Sequence, residues 1–123
     1  MSSGDAFKEE GSLMQAKAIH VVYANWCPHC IPMTVEKMKL AAEELGVPCL
    51  LYDIDSAKVR AADELVKKHG DWSPDYLIPQ VFVEFEDGTV KHVLTGYPEG
   101  VDYTRVAVDN LVKSEMFGSL RAR

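Results

Sequence analysis

No stretch of this chain is long and apolar enough to span a lipid bilayer, and the segment from Met1 to Gln15 lacks the apolar core of an export signal. Basic residues are also scarce, since 13 Lys and Arg face 19 Asp and Glu and the formal net charge is -6. This balance disfavours nucleic acid or an anionic membrane as the main partner. We therefore expect a cytoplasmic protein that binds neither, and we expect it to be a monomer.

Cysteine is scarce as well, with three residues in the whole chain, Cys27, Cys30 and Cys49. Three cysteines are too few, and uneven in number, to form the disulfide framework of a secreted protein. A chain of 123 residues is also large enough to fold around one ordinary core without disulfides. Because the cytoplasm keeps most thiols reduced, a closely spaced cysteine pair requires a chemical explanation.

Hydrophobic patterning indicates one domain over residues 1–123, because no repeat, low-complexity tract or linker divides the chain. Short apolar and β-branched runs predict strands at 18–24, 49–54, 80–85 and 90–94. The turn pair Asp87-Gly88 predicts that the last two strands form a hairpin. Cys49 begins the second strand and is interpreted as an inert apolar filler, with a regulatory thiol as the alternative.

Helical spacing predicts three helices and a weaker fourth. They run from Cys27 to Gly46, from a cap at Asp55 or Ser56 to Gly70, and from a cap at Asp102 to about residue 116. The weaker helix covers 7–15 within an N-terminal extension of residues 1–17. The apolar residues assigned to the last of the three long helices are Tyr103, Val106, Ala107, Leu111 and Val112. The order of elements predicts an α/β fold whose mixed sheet of about four strands has helices on both faces.

The segment Ala24-Asn25-Trp26-Cys27-Pro28-His29-Cys30 lies where the first strand ends and a helix is predicted to begin. Cys27 is expected at the N-cap and Pro28 at the first helical position, which proline favours. Free helical amides and the helix dipole there favour a thiolate, so Cys27 is predicted to be a nucleophile. Cys30, three residues later on the same face, is close enough to form a disulfide and is predicted to be the resolving thiol.

A disulfide between these two cysteines would contribute little to stability. It closes far fewer residues than the fifteen-residue loop for which about 3 kcal/mol is expected. The pair is therefore interpreted as redox-active. His29 is predicted to supply a donor or positive charge near the Cys27 sulfur, which makes the disulfide more oxidising. A zinc site using Cys27, His29 and Cys30, and a solvent-facing histidine without a role, are the alternatives.

The segment Trp26-Cys27-Pro28-His29-Cys30 resembles the active site of the thioredoxin-fold disulfide oxidoreductases, and its Pro28-His29 pair is similar to that of the DsbA-type thiol oxidases. The later segment Ile78-Pro79-Gln80-Val81-Phe82-Val83 is similar to the cis-proline strand of thioredoxins and glutaredoxins. The resemblance covers about residues 18–116. It implies a thioredoxin-like three-layer α/β/α sandwich and thiol-disulfide exchange through Cys27 and Cys30, without a metal or an organic cofactor.

The same resemblance implies a cis bond before Pro79 and a substrate-binding edge formed by the backbone of Ile78, with Gly96, Trp26 and Tyr97 at the rim of the site. An ordinary strand-starting proline is the alternative for Pro79. The expected partners are protein disulfides, or glutathione disulfides, together with a reductase or a low-molecular-weight thiol. Trp72 and Tyr76 precede Pro79 in a loop and are assigned either to a substrate-facing rim or to the core.

The chain also departs from the family pattern. Val21 stands where thioredoxins bury an aspartate, and Leu51 stands where they carry its partner lysine. Pro32, at the fifth position of the predicted helix, is expected to kink it. Two other functions remain as alternatives. One is a glutaredoxin-like protein that uses Cys27 to bind or carry an iron-sulfur cluster, and the other is a redox-inactive adaptor with the same fold.

Overall fold

A computed structural model of the chain describes residues 15–121. Within this range it contains four strands and four helices in the order β1, α1, β2, α2, β3, β4, α3, α4. The strands are β1 (Ala16–Tyr23), β2 (Cys49–Asp53), β3 (Gln80–Phe85) and β4 (Val90–Thr95). The helices are α1 (Met33–Leu45), α2 (Val59–His69), α3 (Val101–Val112) and α4 (Glu115–Arg121).

The strands form a single mixed sheet in the order β2-β1-β3-β4. Strand β1 runs parallel to β2, while the β1–β3 and β3–β4 pairs are antiparallel. Apolar residues fill β1 on both faces, as a central strand covered by helices on each side requires, and Ile19, Val21 and Val22 are fully buried. The predicted mixed sheet of four strands is confirmed.

Helices cover both faces of the sheet. On one face, α1, α3 and α4 enclose a core that contains Ile19, Val21, Met38, Val108 and Phe117. On the other face, α2 packs Ala62 and Val66 against Val22 of β1 and Phe82 of β3. This arrangement is a three-layer α/β/α sandwich, and it is consistent with a thioredoxin-like fold.

Several predicted helix boundaries were wrong. The α2 N-cap is Lys58 rather than Asp55 or Ser56, because the Ser56 hydroxyl accepts the Lys58 amide in a turn that precedes the helix. The α3 N-cap is Gly100 rather than Asp102. The expected helix to residue 116 is divided after Val112, where the Ser114 hydroxyl accepts the Phe117 amide and starts α4. The helix predicted at 7–15 lies outside the described residues, except for position 15.

The inner face of α3 also differs from the prediction. Thr104 and Val108 are buried, whereas Tyr103 and Val106 are 60% and 58% exposed. Ala107, Leu111 and Val112 do pack against the core, as predicted, so the predicted inner face of the helix is wrong at Tyr103 and Val106 only. Thr104 brings a hydroxyl into the interior near the N-terminal end of the helix.

Cys49 is the first residue of β2, where it pairs with Ile19. It is half-buried rather than fully enclosed, and burial raises the pKa of its thiol. None of the helices within residues 15–121 has the length and apolar character needed to cross a membrane.

Candidate active site

The two neighbouring cysteines lie in a turn that follows β1. The carbonyl of Cys27 accepts hydrogen bonds from the amides of Cys30 and Ile31, each at 3.0 Å. Helix α1 begins only at Met33, with Pro32 as its N-cap, because a proline has no N–H to donate to the carbonyl four residues earlier. In place of the expected kink, the helix starts anew after Pro32, while the Val35 amide still donates to the Cys30 carbonyl at 3.0 Å and joins the turn to α1. The Ile31-Pro32 peptide bond is cis.

This later helix start corrects the expected electrostatics of the site. Cys27 is not the N-cap of α1 and Pro28 is not its first residue, because six positions separate Cys27 from Met33. A helix dipole acts mainly within the terminal turn, and Cys27 does not hold the N-terminal position of α1 on which the expected effect depended. The Cys30 amide is not free either, since it donates to the Cys27 carbonyl.

Both cysteines are reduced and enclosed, but to different degrees. Cys27 is 5% exposed and Cys30 is fully buried. Burial raises the pKa of the Cys30 thiol, and a hydrogen bond and charge from the Cys27 side chain raise it further, while the Ala24 backbone opposes the shift. The Cys30 thiol therefore holds its proton more firmly than a free cysteine does, and it lies within hydrogen-bond reach of the Cys27 side chain.

A groove of about 230 Å³ opens over these cysteines. We call it the cysteine groove. It is mainly apolar and brings together six residues that the sequence assigned to the site, namely Trp26, Cys27, His29, Ile78, Gly96 and Tyr97. The remaining lining residues, Tyr76, Leu77 and Pro98, complete the two loops around it. Of the other predicted residues, Pro28 is exposed outside the groove, while Cys30 and Pro79 are buried beneath its surface.

His29 is held by two threonines. Its Nδ1 lies 2.7 Å from Thr104 Oγ1, and the Thr34 hydroxyl donates to its backbone carbonyl at 2.6 Å. The ring is half-buried rather than freely solvated, which argues against the solvent-facing alternative. The hydrogen-bond partner of its imidazole is Thr104 of α3, a residue that the sequence did not assign to the site.

Thr104 links His29 to the rim of the groove. Its hydroxyl oxygen is fully buried and also accepts the backbone amide of Tyr97 at 2.9 Å. Nothing local in the sequence distinguishes this threonine, because its two partners come from other elements of the fold. One available signal is its spacing, since Thr104 and Val108 occupy successive turns of one helical face.

The predicted cis bond between Ile78 and Pro79 is present. The Gly96 amide donates to the Pro79 carbonyl at 2.8 Å. A Cβ at Gly96 would overlap the Ile78 carbonyl oxygen, so the close approach of the two chains requires glycine. Among residues 15–121 the backbone amide and carbonyl of Ile78 have no hydrogen-bond partner. That these two groups pair with an extended peptide stays a prediction.

Gln80 anchors the loop that precedes the cis-proline. Its fully buried side chain accepts the Asp71 amide at 3.1 Å and donates to the carbonyls of Asp71 and Leu77 at 3.2 and 3.0 Å. These three bonds join backbone groups of the loop to a side chain that is itself fully buried. Gln80 thereby fixes the position of Leu77 and Ile78 over the cysteines.

Two exposed aromatic residues form the rim. Trp26 is 67% exposed, and its indole N–H donates to Asp55 at 2.7 Å. Tyr97 is 44% exposed on the other loop. The sequence assigned Trp72 and Tyr76 either to the rim or to the core. Tyr76 lines the groove. Trp72 lies outside it, and the Lys67 ammonium is 4.7 Å from the centre of its ring.

The surroundings of the cysteines are apolar. Val21 is fully buried in the core. The cluster around Cys27 and Cys30 consists of Tyr23, Ala24, Ile31, Ile54 and Ile78. In the part of the chain that the structure describes, burial and then the charge of Asp53 raise the pKa of Tyr23, so one carboxylate acts at the border of this cluster. Within the same part, no three His, Cys, Asp or Glu side chains converge as a metal site would require.

Comparison of the chain with protein-family models, with curated proteins and with solved structures gave no match. The chemistry available to the site is therefore inferred from its own residues and their geometry.

Proposed function

We propose that the protein is a thiol-disulfide oxidoreductase that exchanges the dithiol and disulfide forms of Cys27 and Cys30 with protein disulfides. The observation that supports this proposal most directly is the unequal placement of the two reduced sulfurs. Cys27 lines an apolar groove, while Cys30 lies buried behind it with a raised pKa. One thiol is placed to meet a substrate and its neighbour to displace the product.

The reaction has two steps that balance in electrons and protons. The Cys27 thiolate attacks one sulfur of a substrate disulfide, the substrate S–S bond breaks, and the other substrate sulfur leaves as a thiolate. Cys30 then loses its proton and attacks the Cys27 sulfur. The second substrate thiolate leaves, and the Cys27-Cys30 disulfide remains. Two electrons pass from the protein to the substrate, and the reverse sequence oxidises a substrate dithiol.

The groove supplies a binding surface without demanding one sequence. The unpaired amide and carbonyl of Ile78 can form a short stretch of sheet with an extended substrate segment. The apolar side chains around Cys27 can cover the substrate disulfide. A separate reductase, or a low-molecular-weight thiol such as glutathione, would return the oxidised pair to the dithiol form.

The proposal is tested by trapping the mixed disulfide. A Cys30→Ser variant should accumulate a covalent adduct with a disulfide-containing protein such as insulin. A Cys27→Ser variant should form none. Cys49→Ser is the matched control and should reduce insulin as well as the unaltered protein. The proposal is wrong if Cys27→Ser and the unaltered protein reduce insulin at the same rate, or if oxidant never joins Cys27 to Cys30.

A further inference from the structure

A second groove shares Trp26 and Tyr76 with the cysteine groove and has a volume of about 450 Å³. We call it the aspartate groove. Its lining residues are Trp26, Ile54, Val59, Asp63, Pro74, Asp75 and Tyr76. Because two side chains belong to both grooves, this second surface adjoins the one that Cys27 lines.

The aspartate groove combines apolar walls with an accessible aromatic face. Ile54, Val59 and Pro74 provide aliphatic surface. The Trp26 ring is the most exposed of the lining aromatics, and its indole N–H is held by Asp55, which fixes the ring while leaving it open to solvent. Such a surface suits a long side chain that carries a polar end, because the stem packs on apolar atoms.

The polar groups in the groove are negative. Asp63 and Asp75 line it, and Asp55 borders it through its bond to Trp26. None of these three carboxylates forms an ion pair with a residue between positions 15 and 121. The Tyr76 hydroxyl donates to one oxygen of Asp63 at 3.0 Å, which orients the carboxylate and leaves its second oxygen available.

We propose that the aspartate groove binds a cationic side chain of the substrate, with arginine preferred over lysine, next to the cysteine that Cys27 attacks. This inference rests on the proposed function and gives it a substrate class. A guanidinium can stack on the Trp26 ring and present a planar pair of donors to a carboxylate, which an ammonium does less well. An extended chain advances about 3.3 Å per residue, so the arginine belongs one to three residues from the cysteine.

The experiment uses peptides that differ at one position. Each carries one cysteine joined to thionitrobenzoate and an Arg, Lys, Leu or Glu placed two residues before or after it. The protein is the Cys30→Ser, Cys49→Ser variant, so Cys27 is its single thiol. Attack joins Cys27 to the peptide sulfur, breaks the bond to thionitrobenzoate and releases that thiolate with the electron pair, which gives a visible signal. Mass spectrometry verifies the peptide adduct.

In one of the two placements, the Arg peptide should react about fivefold faster than the Leu peptide, the Lys peptide should fall between them, and the Glu peptide should be slowest. Asp63→Asn and Asp75→Asn should each reduce the Arg advantage, as should 1 M salt, where the screening length is about 3 Å. Glu64→Gln is the matched control, because it removes a charge from the same helix outside the groove. It should leave the advantage unchanged.

Two other results would contradict the inference in different ways. Equal rates for the Arg, Leu and Glu peptides in both placements would overturn it while leaving the proposed exchange reaction in place. An Arg advantage that persists in the combined Asp63→Asn, Asp75→Asn variant would assign the selectivity to another surface and would also overturn it. Failure of Cys27 to react with any peptide would overturn both this inference and the proposed function.

Discussion

His29 Nδ1 lies 2.7 Å from Thr104 Oγ1, across 75 positions of sequence. The same Thr104 oxygen accepts the Tyr97 amide, so its hydroxyl proton is free to be donated to the imidazole. In that arrangement the proton of a neutral ring is on Nε2, which leaves an N–H donor for the cysteine groove. One buried hydroxyl thus fixes the orientation of the histidine between the two cysteines, and where it donates to the ring it selects the tautomer with the proton on Nε2.

Replacing Thr104 with Val should alter both stability and redox chemistry. The Tyr97 amide and the His29 ring would lose their partner, which should lower the free energy of unfolding by about 1–3 kcal/mol. A freed His29 would also stabilise the reduced pair less well, so the reduction potential should fall by roughly 30 mV, equivalent to about 1.4 kcal/mol. Thiol titration in glutathione redox buffers measures the potential, and denaturant unfolding measures stability.

Thr104→Ser is the matched control, because it keeps the hydroxyl and should keep the potential. His29→Ala should lower the potential by a similar amount, and the combined His29→Ala, Thr104→Val variant should lower it no further, since both changes remove one interaction. A Thr104→Val protein with reduced stability and an unchanged potential would show that Thr104 is structural only.

The resolving step should accelerate with pH. Burial is the main cause of the raised pKa of Cys30, and it persists when Cys27 is joined to a substrate. Below that pKa, each unit of pH increases the thiolate fraction about tenfold. Release of a small thiol from a preformed Cys27 mixed disulfide should therefore quicken about tenfold per unit between pH 6 and 8. A rate that is flat over this range would reveal a nearby base that removes the Cys30 proton.

Gly96 and Gly118 should respond in opposite ways to alanine. At Gly96 the added Cβ would overlap the Ile78 carbonyl and the Pro79 ring, and the resulting shift should cost about 1–3 kcal/mol and slow mixed-disulfide formation. At Gly118, in the interior of α4, the Cβ meets no atom within 4 Å. Alanine there should stabilise the protein by about 0.5–1 kcal/mol. Thermal unfolding of the two variants tests both signs, and a Gly96→Ala protein as stable as the parent would contradict the close approach.

Gln80→Met should loosen the loop over the cysteines. Methionine fills a similar volume but leaves the Asp71 amide and two carbonyls without partners. We expect a loss of at least about 2 kcal/mol in unfolding free energy. Amide hydrogen exchange at residues 71–78 should quicken more than exchange in α1. Unchanged exchange in this loop would mean that other contacts hold it.

The sheet was the most predictable part of the fold. Strand β3 matches its predicted range of 80–85, and β4 extends one residue beyond 90–94, because apolar runs and the Asp87-Gly88 turn are local signals. The start of α1 could not be predicted from such local signals. The motif around Cys27 suggested a helix from that point, but Pro32 ends the turn and shifts the helix start to Met33.

Two residues were wrongly predicted to lie on the inner face of α3, for a different reason. Tyr103 and Val106 have the apolar character of core residues, yet they are exposed, while the polar Thr104 is buried. Burial of a hydroxyl is favourable only when it has partners, and those of Thr104 come from the turn after β1 and the loop after β4. By contrast, six residues of the cysteine groove followed from short motifs. These motifs follow β1, precede β3 and follow β4, and the antiparallel pairing brings these strand ends to the same side of the sheet.

The location of Cys49 has a practical consequence. It begins β2 beside Ile19, and at about 3.3 Å per residue the strand places it more than 10 Å from the end of β1 that leads to Cys27. It cannot pair with Cys27 or Cys30 inside one folded molecule. Quantitation under denaturing conditions should therefore count three sulfhydryls in the reduced chain and one in the oxidised chain, so the molecule carries an internal standard for its own redox state.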